Sequence, residues 1–154
     1  MIKKLIIGLL ILLLVALSIV ISIRIKPLVA ERISQDLRNQ QVQLRDLSEV
    51  ERYKLFLYEE VLRNDLTYRD FVLLRKIIQC ESGWRQFDKN GNLLVSKKGD
   101  VGLFQISQKY HLENSKKLGY DISDWKDNLR FGVFLYKKDG SIYWNWSKRC
   151  WNSE

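Results

Sequence analysis

Residues Leu5 to Ile23 form a run of 19 without a charge, with Lys3 and Lys4 before it and Arg24 and Lys26 after it. As a helix rising 1.5 Å per residue, this run spans about 28 Å, close to the hydrocarbon thickness of a bilayer. A segment apolar on every face has no side to turn to water, so it does not suit a helix packed on a small core. A cleaved leader has a shorter apolar stretch and a small-residue cleavage site, and none stands out here. We therefore expect an uncleaved transmembrane signal anchor within residues 1–26. Basic residues flank both ends, so the positive-inside rule does not orient it.

The remainder bounds the rest of the fold. A chain of 154 residues holds one modest domain plus an appendage. With 46% apolar and 29% charged residues it is neither disordered nor polytopic. Pro27, the only proline, ends the anchor. From Leu28 to Asn64 there is no glycine and no further proline, a composition that favours helix. A heptad with a at 37, 44, 51 and 58 and d at 40, 47, 54 and 61 finds five of eight positions apolar, too few for a coiled coil. Residues 27–66 read as a solvated helical stalk whose last part docks on the domain, with self-association through it left open.

Residues 67–154 carry the chemistry. Thr67 and Asp70 have capping-box spacing, and Phe71, Leu74, Ile77 and Ile78 recur at helical spacing up to about Cys80. Glu81-Ser-Gly-Trp84 follows at the C-terminal end of that helix. Phe87 to Asn92 reads as a turn around Asn90-Gly91. Ser96 to Asp100 is a second loop, and Val101 to Ile106 a short apolar run. Asp127-Asn128 opens another helix, with Phe131, Phe134 and Leu135 facing inward and Gly140 at its end. All five Trp lie at or beyond Trp84, and this region holds 16 Lys+Arg against 10 Asp+Glu, most of the net charge of +8. Such an excess suits an anionic partner. Nucleic acid is set aside, because no recognition-helix or aromatic RNA-binding motif is present.

Three blocks together resemble a known family: Cys80-Glu-Ser-Gly-Trp84, then Ser96-Lys-Lys-Gly-Asp-Val-Gly-Leu-Phe-Gln-Ile106, then Asp127-Asn-Leu-Arg-Phe-Gly-Val-Phe-Leu-Tyr136. Their order is similar to that of the soluble-lytic-transglycosylase (SLT) branch of the lysozyme-like superfamily. The resemblance implies a mainly α, lysozyme-like domain with room for a small β-hairpin in the long gap between Glu81 and Ser96. It implies Glu81 as the catalytic acid/base. Ser96, Phe104 (in place of the family's Met) and Gln105 are implied as substrate contacts, with Asn128 and Gly132 in the third block. The family's closing Ala-Tyr-Asn-Ala-Gly motif is missing. Tyr143-Trp144 stands in its place and supplies candidate contacts. Asp100 sits where the family usually has a small residue.

The chemistry expected of such a site is cleavage of the MurNAc–GlcNAc β-1,4 bond of peptidoglycan. A carboxylic acid must protonate a poor leaving group, which near neutrality requires a pKa raised by burial. In the family one Glu then acts as base on the muramyl C6 hydroxyl, closing a 1,6-anhydro ring without cofactor or metal. Asp100 leaves a muramidase open, with Glu81 and Asp100 hydrolysing by water. A non-catalytic wall-binding protein is the other alternative. No histidine stands ready to activate Ser82 or Ser96. His111 reads as a surface or supporting residue.

Cys80 and Cys150 are the only cysteines, too few for a zinc site without neighbouring histidines. Bonded, they close a loop of about 70 residues, worth about 4 kcal/mol in the chain-entropy model. The alternative is two buried thiols. We expect the disulfide, which implies an oxidising, extracytoplasmic compartment. The anchor would then run with its N-terminus cytoplasmic and the domain in the periplasm or at the cell surface.

Overall fold

The computed structural model describes residues 29–40, 42 and 47–152. The predicted anchor at Leu5–Ile23 lies outside these. Among the described residues no helix is long and apolar enough to cross a membrane. The chain divides into two units, Met1–Leu47 and Ser48–Glu154. In the first, residues 29–40 are helical (α1), as expected of the stalk, and expose Val29, Ile33 and Leu37. Of the tested heptad, Leu44 is outside the described residues.

The second unit is mainly helical with one small sheet. It begins at Ser48 rather than at 67. Helix α2 (Glu49–Arg63) opens with a capping box in which Ser48 and Glu51 satisfy each other's backbone N–H groups. Its Tyr53, Leu57 and Val61 recur every four residues on one face, and all three are buried. The last part of the predicted stalk, expected to dock on the domain, does so through this apolar stripe, and the unit's boundary falls at Ser48. Helix α3 (Tyr68–Glu81) starts at the predicted capping box, Thr67 with Asp70, and buries Phe71, Leu74, Ile77 and Ile78.

Between α3 and the next helix the chain makes small β structure. Phe87 bridges Leu93 across a loop in which Asp88 Oδ1 accepts the N–H groups of Asn90 and Asn92. Val95 bridges Val101, and strand β1 (Asp100–Val101) pairs antiparallel with β2 (Ile106–Ser107), Asp100 facing Ser107. In the Glu81–Ser96 gap, where a small hairpin was expected, only the Phe87–Leu93 bridge forms, and the two-stranded sheet lies beyond Ser96. Helix α4 (Gln108–Lys117) follows, which the sequence pattern did not announce.

Helix α5 (Trp125–Asp139) begins earlier than predicted. Asp124 is its N-cap and accepts the N–H groups of Lys126 and Asp127, so Asp127 lies in the first turn. Gly140 ends it at φ 67°, a conformation that costs glycine little. Tyr53 and Phe56 of α2 pack their rings on Trp125, at 5.0 and 5.2 Å between centroids. The buried Glu60 carboxylate takes Arg63 at 2.8 Å and Arg130 of α5 at 3.4 Å. The chain then forms a 3-10 helix (Ile142–Ser147) and the short helix α6 (Lys148–Trp151). Cys80 of α3 and Cys150 of α6 are joined by the expected disulfide.

Candidate active site

The segment 101–105 is held from beneath by two buried amides. Asn128 Oδ1 accepts the Phe104 N–H at 3.0 Å, while its Nδ2 donates to the Val101 and Ile122 carbonyls. Gln86 Oε1 accepts the Leu103 N–H at 3.0 Å. Both side chains are almost fully buried, so their hydrogen bonds must be made inside the protein. Gly102, at φ 71°, lies where a Cβ would come within 2.3 Å of Gln86 Oε1. Thus the Gly-Leu-Phe-Gln block is a backbone shape imposed by two amides.

Above this segment lies a cavity of about 670 Å³. Glu81, Asp100, Gln105, Tyr143 and Trp144 all line it, together with Lys98, His111 and Trp146. Five of the predicted site residues are therefore brought to one place. Two are not. Phe104 is completely buried, its ring packed over Gly132, where a Cβ would come within 2.1 Å of it. The Phe that replaces Met is a core residue, and no surface of it is left for a substrate. Ser96 is absent from the lining residues. Its hydroxyl donates to Asp100 Oδ2 at 3.0 Å and accepts the N–H groups of Lys98 and Asp100, so it ties the turn that aims Asp100. Trp144 forms the floor: it is 3% exposed and its indole N–H donates to the Phe104 carbonyl.

Glu81 is the last residue of α3, and burial pushes its carboxyl above the ordinary range. A hydrogen bond from Ser147 opposes that rise, and the negative charge of Asp100 adds to it. Ser147 Oγ lies 2.5 Å from Glu81 Oε1 and accepts the Trp151 indole N–H at 3.0 Å. This forms a short chain from Trp151 through Ser147 to Glu81. The disulfide joins the neighbours of its two ends, Cys80 beside Glu81 and Cys150 beside Trp151.

Gln105 sits at φ 49°, a left-handed conformation uncommon for a side chain of this size, and its amide donates to the Gly102 carbonyl. Such backbone strain is concentrated at functional sites. His111 lies between the rings of Phe131 and Tyr143, and burial lowers its pKa, with Lys138 acting in the same direction. The Tyr143 hydroxyl donates to Asp139 at 2.5 Å, so the ring rather than the tip remains for the cavity. Trp146 is 96% exposed, with Lys98 Nζ 5.5 Å from its ring centre. Among the described residues no group of three or more His, Cys, Asp and Glu is placed to hold a metal ion.

The chain matches no known protein family, no characterised protein and no solved structure.

Removing the Ser147 hydroxyl tests the opposing influences on Glu81. Because that hydrogen bond favours the charged carboxylate, Ser147→Ala should raise the Glu81 pKa. Carbon-13 NMR titration of the Glu81 carboxyl in wild type and variant measures this directly. An unmoved midpoint would mean that the bond carries no electrostatic weight.

Proposed function

We propose that this protein cleaves the MurNAc–GlcNAc β-1,4 bond of peptidoglycan as a lytic transglycosylase, with Glu81 as general acid and then general base. The observation that carries the reading is a half-buried glutamate at a helix end, raised in pKa and opening into a large cavity. A carboxyl that burial makes hold its proton to higher pH than an exposed one is what protonation of a glycosidic oxygen calls for. Glu81 gives its proton to the leaving oxygen. The resulting carboxylate then takes the proton of the muramyl C6 hydroxyl as that oxygen closes on C1. Both proton transfers use one carboxylate, which Ser147 holds in place. The ring of Tyr143 and the exposed face of Trp146 offer stacking surfaces for sugars. In this proposal the domain is lysozyme-like and residues 1–26 anchor it with the site outside the cytoplasm. The disulfide is consistent with an oxidising compartment.

A second reading is favoured by one observation: Asp100 lines the same cavity, and its charge acts on Glu81. Two carboxylates facing one cavity are the usual apparatus of hydrolysis. Digestion of purified peptidoglycan by the full chain, with mass spectrometry of the fragments, separates the two. The transglycosylase leaves 1,6-anhydro-muramyl ends. Reducing ends would move the reaction to hydrolysis with Asp100 as partner, and intact glycan would remove the enzymatic reading.

A further inference from the structure

A second concavity, of about 440 Å³, lies where α2, α3 and the disulfide meet, and it shares no lining residue with the Glu81 cavity. Lys54 of α2 and Arg75 and Lys76 of α3 line it, with Gln79, Trp84 and the Cys80–Cys150 bridge completing the walls. No carboxylate is among these residues. Glu51 of α2 interacts electrostatically with Lys54, but its carboxylate is hydrogen-bonded to the N–H and hydroxyl of Ser48 at its own helix end.

Two details separate this pocket from an ordinary basic surface. The Nε of Arg75 is buried and has no hydrogen-bond partner, although guanidinium N–H groups out of reach of water are costly to leave unpaired. The Arg75 guanidinium is held over the Phe71 ring, 5.4 Å from its centre, and Lys54 Nζ stands 5.5 Å from the Trp84 ring centre. Both cations are thus fixed by aromatic faces.

We propose that this pocket is a binding site for a phosphate group, carried free or on a small organic substituent. A guanidinium is a planar fork of N–H donors that matches a pair of phosphate oxygens, and this one lines the pocket with its inner Nε left without a partner in the protein. Lys54 adds a second positive charge from the other helix. A doubly charged oxyanion meets this charge better than a single carboxylate does. The Trp84 and disulfide walls leave an apolar side for a substituent. The assignment is independent of the chemistry at Glu81.

The test is titration of the full chain with inorganic phosphate and, separately, with glycerophosphate, read by calorimetry and by phosphorus-31 NMR. Saturable binding is expected that weakens with salt. Arg75→Gln and Lys54→Gln should each weaken it by about tenfold. Arg75→Lys should recover only part of the loss, because it restores the charge without the paired donors. Lys137→Gln, an equal change of net charge on exposed α5 surface, should leave it unchanged. Glycerophosphate binding more tightly than phosphate identifies an organic phosphate as the ligand, and equal affinity identifies the free ion. Lys54 is only part-buried, and a melting curve of its variant checks that the protein remains folded. Absence of saturable binding, or loss of binding equal in Lys137→Gln, would overturn the proposal.

Discussion

On the proposed function, replacing Glu81 by Gln should lower peptidoglycan cleavage at least about a hundredfold, since a positioned general acid contributes roughly two to four orders of magnitude. The amide keeps the size of the side chain and can still accept the Ser147 hydroxyl, so the fold is retained. Stability should move in the opposite direction. Burial places the folded-state pKa of Glu81 above its unfolded value. The stability that this group contributes is fully present below the unfolded pKa and is lost as pH rises through the folded pKa. Above the folded-state pKa the wild-type protein holds a carboxylate that burial disfavours, and the neutral amide removes that cost. The variant should melt above wild type at pH values above that pKa, with the difference closing in acid. The cleavage rate of wild type should fall as pH rises through the same folded pKa, because the proton donor is lost. A variant that retained cleavage would remove Glu81 from the chemistry. A variant inactive and also less stable would point to a structural role.

How much of this was legible in the sequence depended on the range of the interaction. The start of α3 was readable because Thr67 and Asp70 are three residues apart and cap one another locally. The start of α5 was placed two residues late because Asp124 and Asp127 both stand near it, and only the hydrogen bonds to Asp124 distinguish them. The membership of α2 in the core was obscured by frame. The heptad phased on Leu37 passes over Tyr53 and Leu57, two of the three residues that pack. Glu81, Asp100, Gln105, Tyr143 and Trp144 line one cavity, from segments spread over some 60 residues. The two residues outside the cavity lining have physical explanations. Ser96 spends its hydroxyl inside its own turn, and Phe104 fills the space that Gly132 leaves empty. Gln86 and Ser147 carried no local signal. The cysteine pairing contained the clue to Ser147, because closing Cys80 on Cys150 brings the turn before Cys150 against the residue after Cys80.

Removing that bridge should have the largest effect on stability of any change outside the core. The bond spans a sequence separation of 70 residues, for which the chain-entropy model gives about 4 kcal/mol. For a unit of this size each kcal/mol corresponds to roughly 4–8 °C, so the double variant Cys80→Ala, Cys150→Ala should melt about 15–30 °C lower. Reductant should produce the same shift in wild type and none in the variant. The effect on the site should exceed what melting alone predicts. Helix α6 has only four residues, too short to hold itself, and it carries the Trp151 indole that orients Ser147. With the bridge gone, Ser147 loses its fixed position beside Glu81, and the Glu81 pKa should rise as in Ser147→Ala. Measuring that pKa well below the new melting temperature separates the two consequences. A lowered melting point with an unmoved Glu81 titration would mean that the bridge stabilises the fold without aligning the acid. An unchanged melting point under reductant would mean that the bond contributes nothing in solution. A raised pKa together with a lowered melting point would establish that one covalent link both holds the C-terminal helix and sets the proton affinity of the candidate catalytic acid.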